Sequence, residues 1–312
     1  MRNRTKFIAA GAVFVAASAL TVFAQQQPTA PGVPVTVVVA LEPKRGQTMP
    51  PIEAQDITVS QGRDKRPVTA FVPAGQIPVQ LMLLLDDSAR ATFDTELPTL
   101  RQFVNSLPSN TEVAIAYMRN GMAALTSNFT TDHAAAANSI RVAFGVGGAD
   151  VSPFDSLTDA IKRWPASTGP VRREIIMISS GIEALGGGFT PDNPYVNAGI
   201  ESAQRAGVVV YTIYDPSVGH SGHSFWRSTW GQNFLSQLSD ETGGEFYAIG
   251  FGSPVSFQPF LNQIMQQMQN QYLLTFEARP ENKSGLQYVK IGVREKDASI
   301  AAPDKVFVRA SM

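Results

Sequence analysis

The chain has no cysteine and only three histidines among 312 residues. No disulfide, thiolate metal site or lipidated cysteine can therefore be built. His220 and His223 have a spacing that suits a transition metal, but no third ligand stands near them, so a polar loop is expected there. The common signatures of catalysis are missing as well. Ser179-Ser180-Gly181 lacks the Gly-x-Ser-x-Gly elbow, and no Lys-Ser/Thr follows Gly186-Gly187-Gly188 to make a phosphate cradle. Nucleophile, base and orienter cannot be assembled from this inventory, and a non-enzymatic protein is expected. Charge is also sparse. Three of the 25 basic residues lie in 1–24, leaving 22 against 26 acidic ones, a balance that argues against a nucleic-acid partner.

One long apolar run is present, at 8–23. Arg2, Arg4 and Lys6 precede it, and Val22-Phe23-Ala24 sets small residues before a cut at Gln25. Residues 1–24 read as a secretion signal, too short for a comfortable membrane anchor, and 25–32 as a Gln/Pro-rich linker. The expected protein is exported, periplasmic or extracellular, with no membrane contact after cleavage.

Between 33 and 75 the pattern is β-branched. A strand is expected over 33–41, and a hairpin from 57–60 and 67–71 around a Gly turn. This unit has too few apolar residues to stand alone. From 79 to 270 strand and helix patterns alternate, which predicts a doubly wound, mostly parallel α/β sheet. Its centre is the stretch 79–85, whose five consecutive apolar residues 81–85 read as a strand buried on both faces and which ends in Asp86-Asp87-Ser88. Further strands are expected at 111–118, 121–125, 173–180, 208–214 and 245–249. Helices are expected at 131–142, 154–164, 196–206, around 234–238, and at 257–268. The segment 215–233, with Trp226 and Trp230, reads as a long loop. Residues 271–312 return to strands and are expected to pack with 33–75 as a small β module bracketing the α/β domain.

Polar residues at the carboxyl end of such a strand lie where open α/β sheets place their ligands. Three stretches carry a resemblance to the von Willebrand factor type A domain: the apolar strand into Asp86-Asp87-Ser88-Ala89-Arg90, the helix start 152–157 after a Gly-rich loop, and Ile175 to Gly181 before another. With 238–244 and 270–274, nearly the whole chain after the signal resembles a secreted group of such proteins common in acidobacteria. The resemblance implies a Rossmann-like sheet and a non-enzymatic binding role. It also implies a metal-ion-dependent adhesion site: an Asp and two Ser from Asp-x-Ser-x-Ser, a Thr from a second loop and an Asp from a third.

Asp86 and Ser88 match that set. Arg90 stands at the second serine, Val151 at the threonine beside Asp150 and Ser152, and Ser180 at the third-loop aspartate. A guanidinium about 5 Å from a divalent ion costs on the order of 6 kcal/mol at an effective dielectric near 20, comparable with a millimolar-to-micromolar affinity. The expectation is a degenerate site without a cofactor, in which Arg90 pairs with Asp86 or Asp87. The alternative is Mg²⁺ or another divalent cation held by Asp86, Ser88 and Ser152, with Asp150 or Asp215 stepping in. The expected binding face is Asp86, Asp87, Ser88, Arg90, Asp150, Ser152 and Ser180, with Trp226 and Trp230 on its rim. The expected partner is a protein or extracellular polymer. The competing readings are cation-dependent adhesion and a purely structural role in the cell envelope.

Overall fold

A computed structural model describes residues 32–44, 48–88, 91–145, 152–183, 190, 192–217, 224–252 and 255–310. The chain divides into a unit 1–31, which lies outside the described residues as do the secretion signal expected at 1–24 and most of the linker expected at 25–32, and a unit 32–312. In the second unit β1 (Val33–Pro43) is followed by the 3₁₀ turn Ala54–Asp56. Then come β2 (Ile57–Gln61), β3 (Asp64–Arg66), β4 (Val68–Pro73) and β5 (Val79–Asp86). Helices α1 (Ala91–Asp94) and α2 (Leu97–Asn105) lead to β6 (Thr111–Arg119), β7 (Met122–Thr130), α3 (His133–Ser139) and α4 (Pro153–Lys162). The chain continues through β8 (Arg172–Ser179), α5 (Pro194–Ala206), β9 (Val208–Tyr214), α6 (Phe225–Thr242), β10 (Phe246–Tyr247) and α7 (Gln258–Gln269). It ends in β11 (Gln271–Ala278), β12 (Gly285–Tyr288), β13 (Lys290–Val293), β14 (Ala298–Ala301) and β15 (Lys305–Val308).

The central sheet has the order β10-β9-β8-β5-β6-β7, parallel throughout except for the antiparallel edge strand β7. Counting only its own six strands, this is 3-2-1-4-5-6, the doubly wound order with its switch point between β5 and β8. β5 is buried along its whole length, as its unbroken apolar run requires. Its side chains alternate between two cores. Leu81, Leu83 and Leu85 join α2, α3 and α7; Met82 and Leu84 join α4, α5 and α6.

Outside that sheet, β1 pairs antiparallel with β11 and β14, and β11 also with β4. β2 lies between β13 and β3, and β12 pairs with β15. Val35, Val39, Val59, Leu274, Phe276 and Val306 share the apolar core of these strands.

Several expected elements are redrawn. The hairpin partner of β2 is β3, and the strand expected at 67–71 belongs to β4 on a different sheet. Pro67 explains the break, since it has no N–H to continue the ladder beside β2. The helix expected to run through 142 ends at Ser139, where the C-cap Ile140 is extended (φ −68°, ψ 119°). The loop expected over 215–233 gives way at Phe225 to the 18-residue α6, capped by Ser224 Oγ accepting the Arg227 N–H (3.3 Å). The edge strand expected at 245–249 is confined to Phe246 and Tyr247. Among the described residues no helix is long and apolar enough to cross a membrane.

Candidate functional site

Three neighbouring strands, β5, β8 and β9, end in short polar sequences that fold back on themselves. At β5, Asp86 Oδ1 accepts from the Ser88 N–H (3.0 Å) and Ser88 Oγ (2.5 Å), and Ser179 Oγ at the end of β8 lies 3.4 Å from Asp86 Oδ2. Ser179 also accepts the Gly181 N–H (3.1 Å), and its carbonyl takes the Asp215 N–H (3.0 Å). At β9 the β5 turn is repeated: Asp215 accepts from the Ser217 N–H and Ser217 Oγ, both at 2.8 Å. An Asp two residues before a Ser closes such a turn by local bonding, with both donors on one carboxylate oxygen at β5 and one on each oxygen at β9.

Asp87 points the other way and is fully buried. Arg141 meets it with two prongs, Nη1 to Oδ1 at 2.8 Å and Nη2 to Oδ2 at 3.1 Å, and the Phe144 N–H adds a third bond (3.0 Å). The guanidinium lies 4.0 Å from the Tyr117 ring centroid and 3.8 Å from that of Phe144. Tyr117 Oη donates to the Arg141 carbonyl (2.6 Å) and accepts its N–H (2.9 Å), and burial pushes the phenol's pKa up. The stretch 140–145 is thereby fastened across the end of β5.

Ser152 caps α4: its Oγ accepts the Asp155 N–H (3.0 Å) and donates to Glu183 Oε2 (2.5 Å). Glu183 is itself buried. Ser180 is buried with its Oγ 3.4 Å from the Ile182 N–H. Beside it, Gly181 (φ +64°) and Gly231 of α6 approach so closely that a Cβ on Gly231 would sit 2.2 Å from the Ser180 carbonyl oxygen. Glycine is required at both positions, for the positive φ at one and for the approach at the other.

Of the expected face, then, Asp86, Asp87, Ser88, Ser152 and Ser180 all lie buried at the carboxyl ends of β5 and β8 or at the start of α4. Arg90, Asp150, His220 and His223 lie outside the described residues. The guanidinium bonded to Asp87 belongs to Arg141, a residue the sequence placed in a helix. Glu183 and Ser217 were likewise not singled out. Trp230 is half-buried against Phe234 (ring centroids 5.6 Å), whereas Trp226 stands out into solvent.

Of the positions in the oxygen shell that the resemblance implies, Asp86, Ser88, Ser152 and Ser180 lie among the described residues, and Arg90, Asp150 and Val151 do not. Asp86 and Ser88 bond to each other, and the Ser152 proton is committed to Glu183. Among the described residues no group of three or more His, Asp or Glu side chains is placed to hold a metal ion.

No family model matches the chain, and no curated protein matches it. Solved structures similar to it include an aerotolerance-related membrane protein from Bacteroides fragilis, at 18% identity over 61% of this chain and 98% of that one, with a TM-score of 0.43. Others are the SpRpn10 VWA domain (13% identity, 60% and 95% covered, TM-score 0.41) and the pilus adhesin SpaC from Lactobacillus rhamnosus GG (10%, 80% and 41%, TM-score 0.42). The fold class rests on the strand order itself.

Proposed function

We propose that the chain is an exported, non-enzymatic binding protein that contacts another protein or an extracellular polymer through the carboxyl-end rim of its central sheet. The observation that carries this reading is an exposed aromatic group at the start of α6. Phe225 and Trp226 are 64% and 70% exposed, and Ile249 and Phe251, just after β10, are 54% and 50% exposed. Phe225 lies 6.0 Å from the Trp226 ring and 5.2 Å from the Phe251 ring. Gln232 Nε2 donates to the Gly250 carbonyl (2.7 Å), tying the two segments together. Large apolar groups gathered in one exposed place, rather than scattered singly, mark interaction sites, and aromatic anchors dominate such contacts.

In this reading the buried Asp86, Ser88, Ser152 and Ser180 shape the rim from beneath, and no metal or other cofactor takes part. The acidic excess speaks against nucleic acid as the partner.

The test is surface-immobilised protein challenged with purified envelope polymers and exported proteins of its host. A partner held by the wild type should lose about tenfold or more in affinity with Phe225→Ser and Trp226→Ser together, and should be indifferent to a chelator. Equal retention by the double variant, or release by chelator, would overturn the reading.

A further inference from the structure

The strands outside the central sheet carry a hollow that shares no residue with the carboxyl-end rim. β3 stops at Arg66, and Pro67 turns the chain into β4 on another sheet. Ile57 and Thr58 of β2 consequently pair with β13 on one side and, among the described residues, with no strand on the other. The gap is a concavity of about 420 Å³. Ile57, Val59 and Val68 give it an apolar lining, and Lys65, Arg66 and Arg294 border it with three positive charges.

Among the described residues, none of the three has a carboxylate oxygen within 4.0 Å. The local acids are engaged elsewhere. Glu53 and Asp56 cap the 3₁₀ turn reciprocally, and Asp64 pairs with Arg279 at 2.6 Å. Arg66 is oriented by its Nε–H, which donates to the Glu277 carbonyl (2.6 Å); among the described residues its terminal nitrogens have no acceptor. Arg294 is anchored at its root, where its backbone N–H donates to the Asp56 carbonyl (2.8 Å).

Like charges around one hollow focus a positive potential into it, and an anion seated there relieves their repulsion. Guanidinium forks match the paired oxygens of an oxyanion, and an ammonium adds a point charge. Three cations suit a dianion better than a single carboxylate. The volume is that of a small-molecule site, and the apolar lining suits the carbon portion of an ester. We propose that this hollow is a binding site for a phosphate monoester, clasped by Arg66 and Arg294 with Lys65 beside them.

The test is calorimetry on the full chain at low salt, with phenyl phosphate and inorganic phosphate as probes and acetate as control. Phenyl phosphate should bind with a Kd below about 1 mM and weaken as salt is raised. Arg66→Gln with Arg294→Gln should weaken it about tenfold or more, while Arg279→Gln should change it less than about twofold. If the first pair alters the circular dichroism spectrum, Lys65→Gln with Arg294→Gln is read instead, with the same expectation. Vesicles of phosphatidylcholine with phosphatidic acid separate the sources. Co-sedimentation reversed by phenyl phosphate assigns a lipid-borne ester; phenyl phosphate binding without co-sedimentation assigns a soluble one. No saturable heat from either phosphate up to about 10 mM, or equal binding by the double variants, would overturn the proposal.

Discussion

Asp87 and Arg141, 54 residues apart in the chain, form a two-pronged ion pair that fastens the stretch after α3 to the mouth of β5. Asp87 has no exposed side-chain surface and Arg141 keeps 28% of its own. Removing the cation strands a buried carboxylate, and such losses exceed what the intact pair contributes. Arg141→Met should cost about 2–4 kcal/mol, read by urea denaturation. Asp87→Asn, which keeps the shape and removes the charge, should cost less. Equal stability of Arg141→Met and wild type would show that the pair holds nothing.

A second buried carboxylate gives the protein a pH dependence of unusual sign. Glu174 of β8 is fully buried, and Arg172 lies 3.7 Å away. Burial raises its pKa to about 7 from an ordinary 4.5, against the opposing pull of Arg172 and of the Gln271 side chain. The folded chain therefore holds this proton where the unfolded chain has released it. Its contribution is present in full below about 4.5 and is lost as pH rises to about 7, a change of about 3 kcal/mol. Glu174→Gln should be nearly neutral at pH 4.5 and stabilising at pH 8. Thermal unfolding measured across that range checks it, and a wild-type Tm that climbs from pH 5 to pH 8 in step with the variant's would contradict it.

The close passage of Gly181 and Gly231 leaves no room for a methyl group on either. Gly231→Ala drives a Cβ to 2.2 Å from a backbone oxygen, which cannot rotate away as a side chain can. A loss of about 2 kcal/mol or more is expected, with α6 displaced from the end of β8. Hydrogen exchange in 225–235 should accelerate more than in β5.

The two tryptophans of α6 should separate cleanly. Trp226→Ser should leave stability within about 0.5 kcal/mol, because the ring is 70% exposed. Trp230→Ala should cost about 2 kcal/mol, because its half-buried ring packs on Phe234 against the second core. Chemical denaturation of both variants compares them directly.

The parts of this fold that were readable in the sequence are those in which a strand is buried on both faces. The apolar run of β5 has no other comfortable home, and β8 and β9 share its character. The two Asp-x-Ser turns are likewise local, so their geometry follows from spacing alone. Less legible was α6, whose first two turns carry Phe225, Trp226 and Trp230 without a clean apolar stripe; its start is marked only by Ser224. The partner of Asp87 was illegible for another reason. Arg141 lies in an extended stretch whose course is fixed by its own bond to Tyr117 and by the Phe144 N–H reaching back to Asp87, contacts that no window of neighbouring residues contains. Pro67 was visible, but its effect of sending β3 and β4 to separate sheets depends on β11 being there to receive the second.

The pairing of β1 with β11 joins Thr36 to Thr275 across 239 positions. A chain made from its amino terminus must therefore keep 33–43 waiting, β-prone and unzipped, until nearly everything else has emerged. The α/β core can close during that interval while the flanking sheet cannot. The last step of maturation is then the capture of an early strand by a late one, and a holdase that shields 33–43 would set its pace.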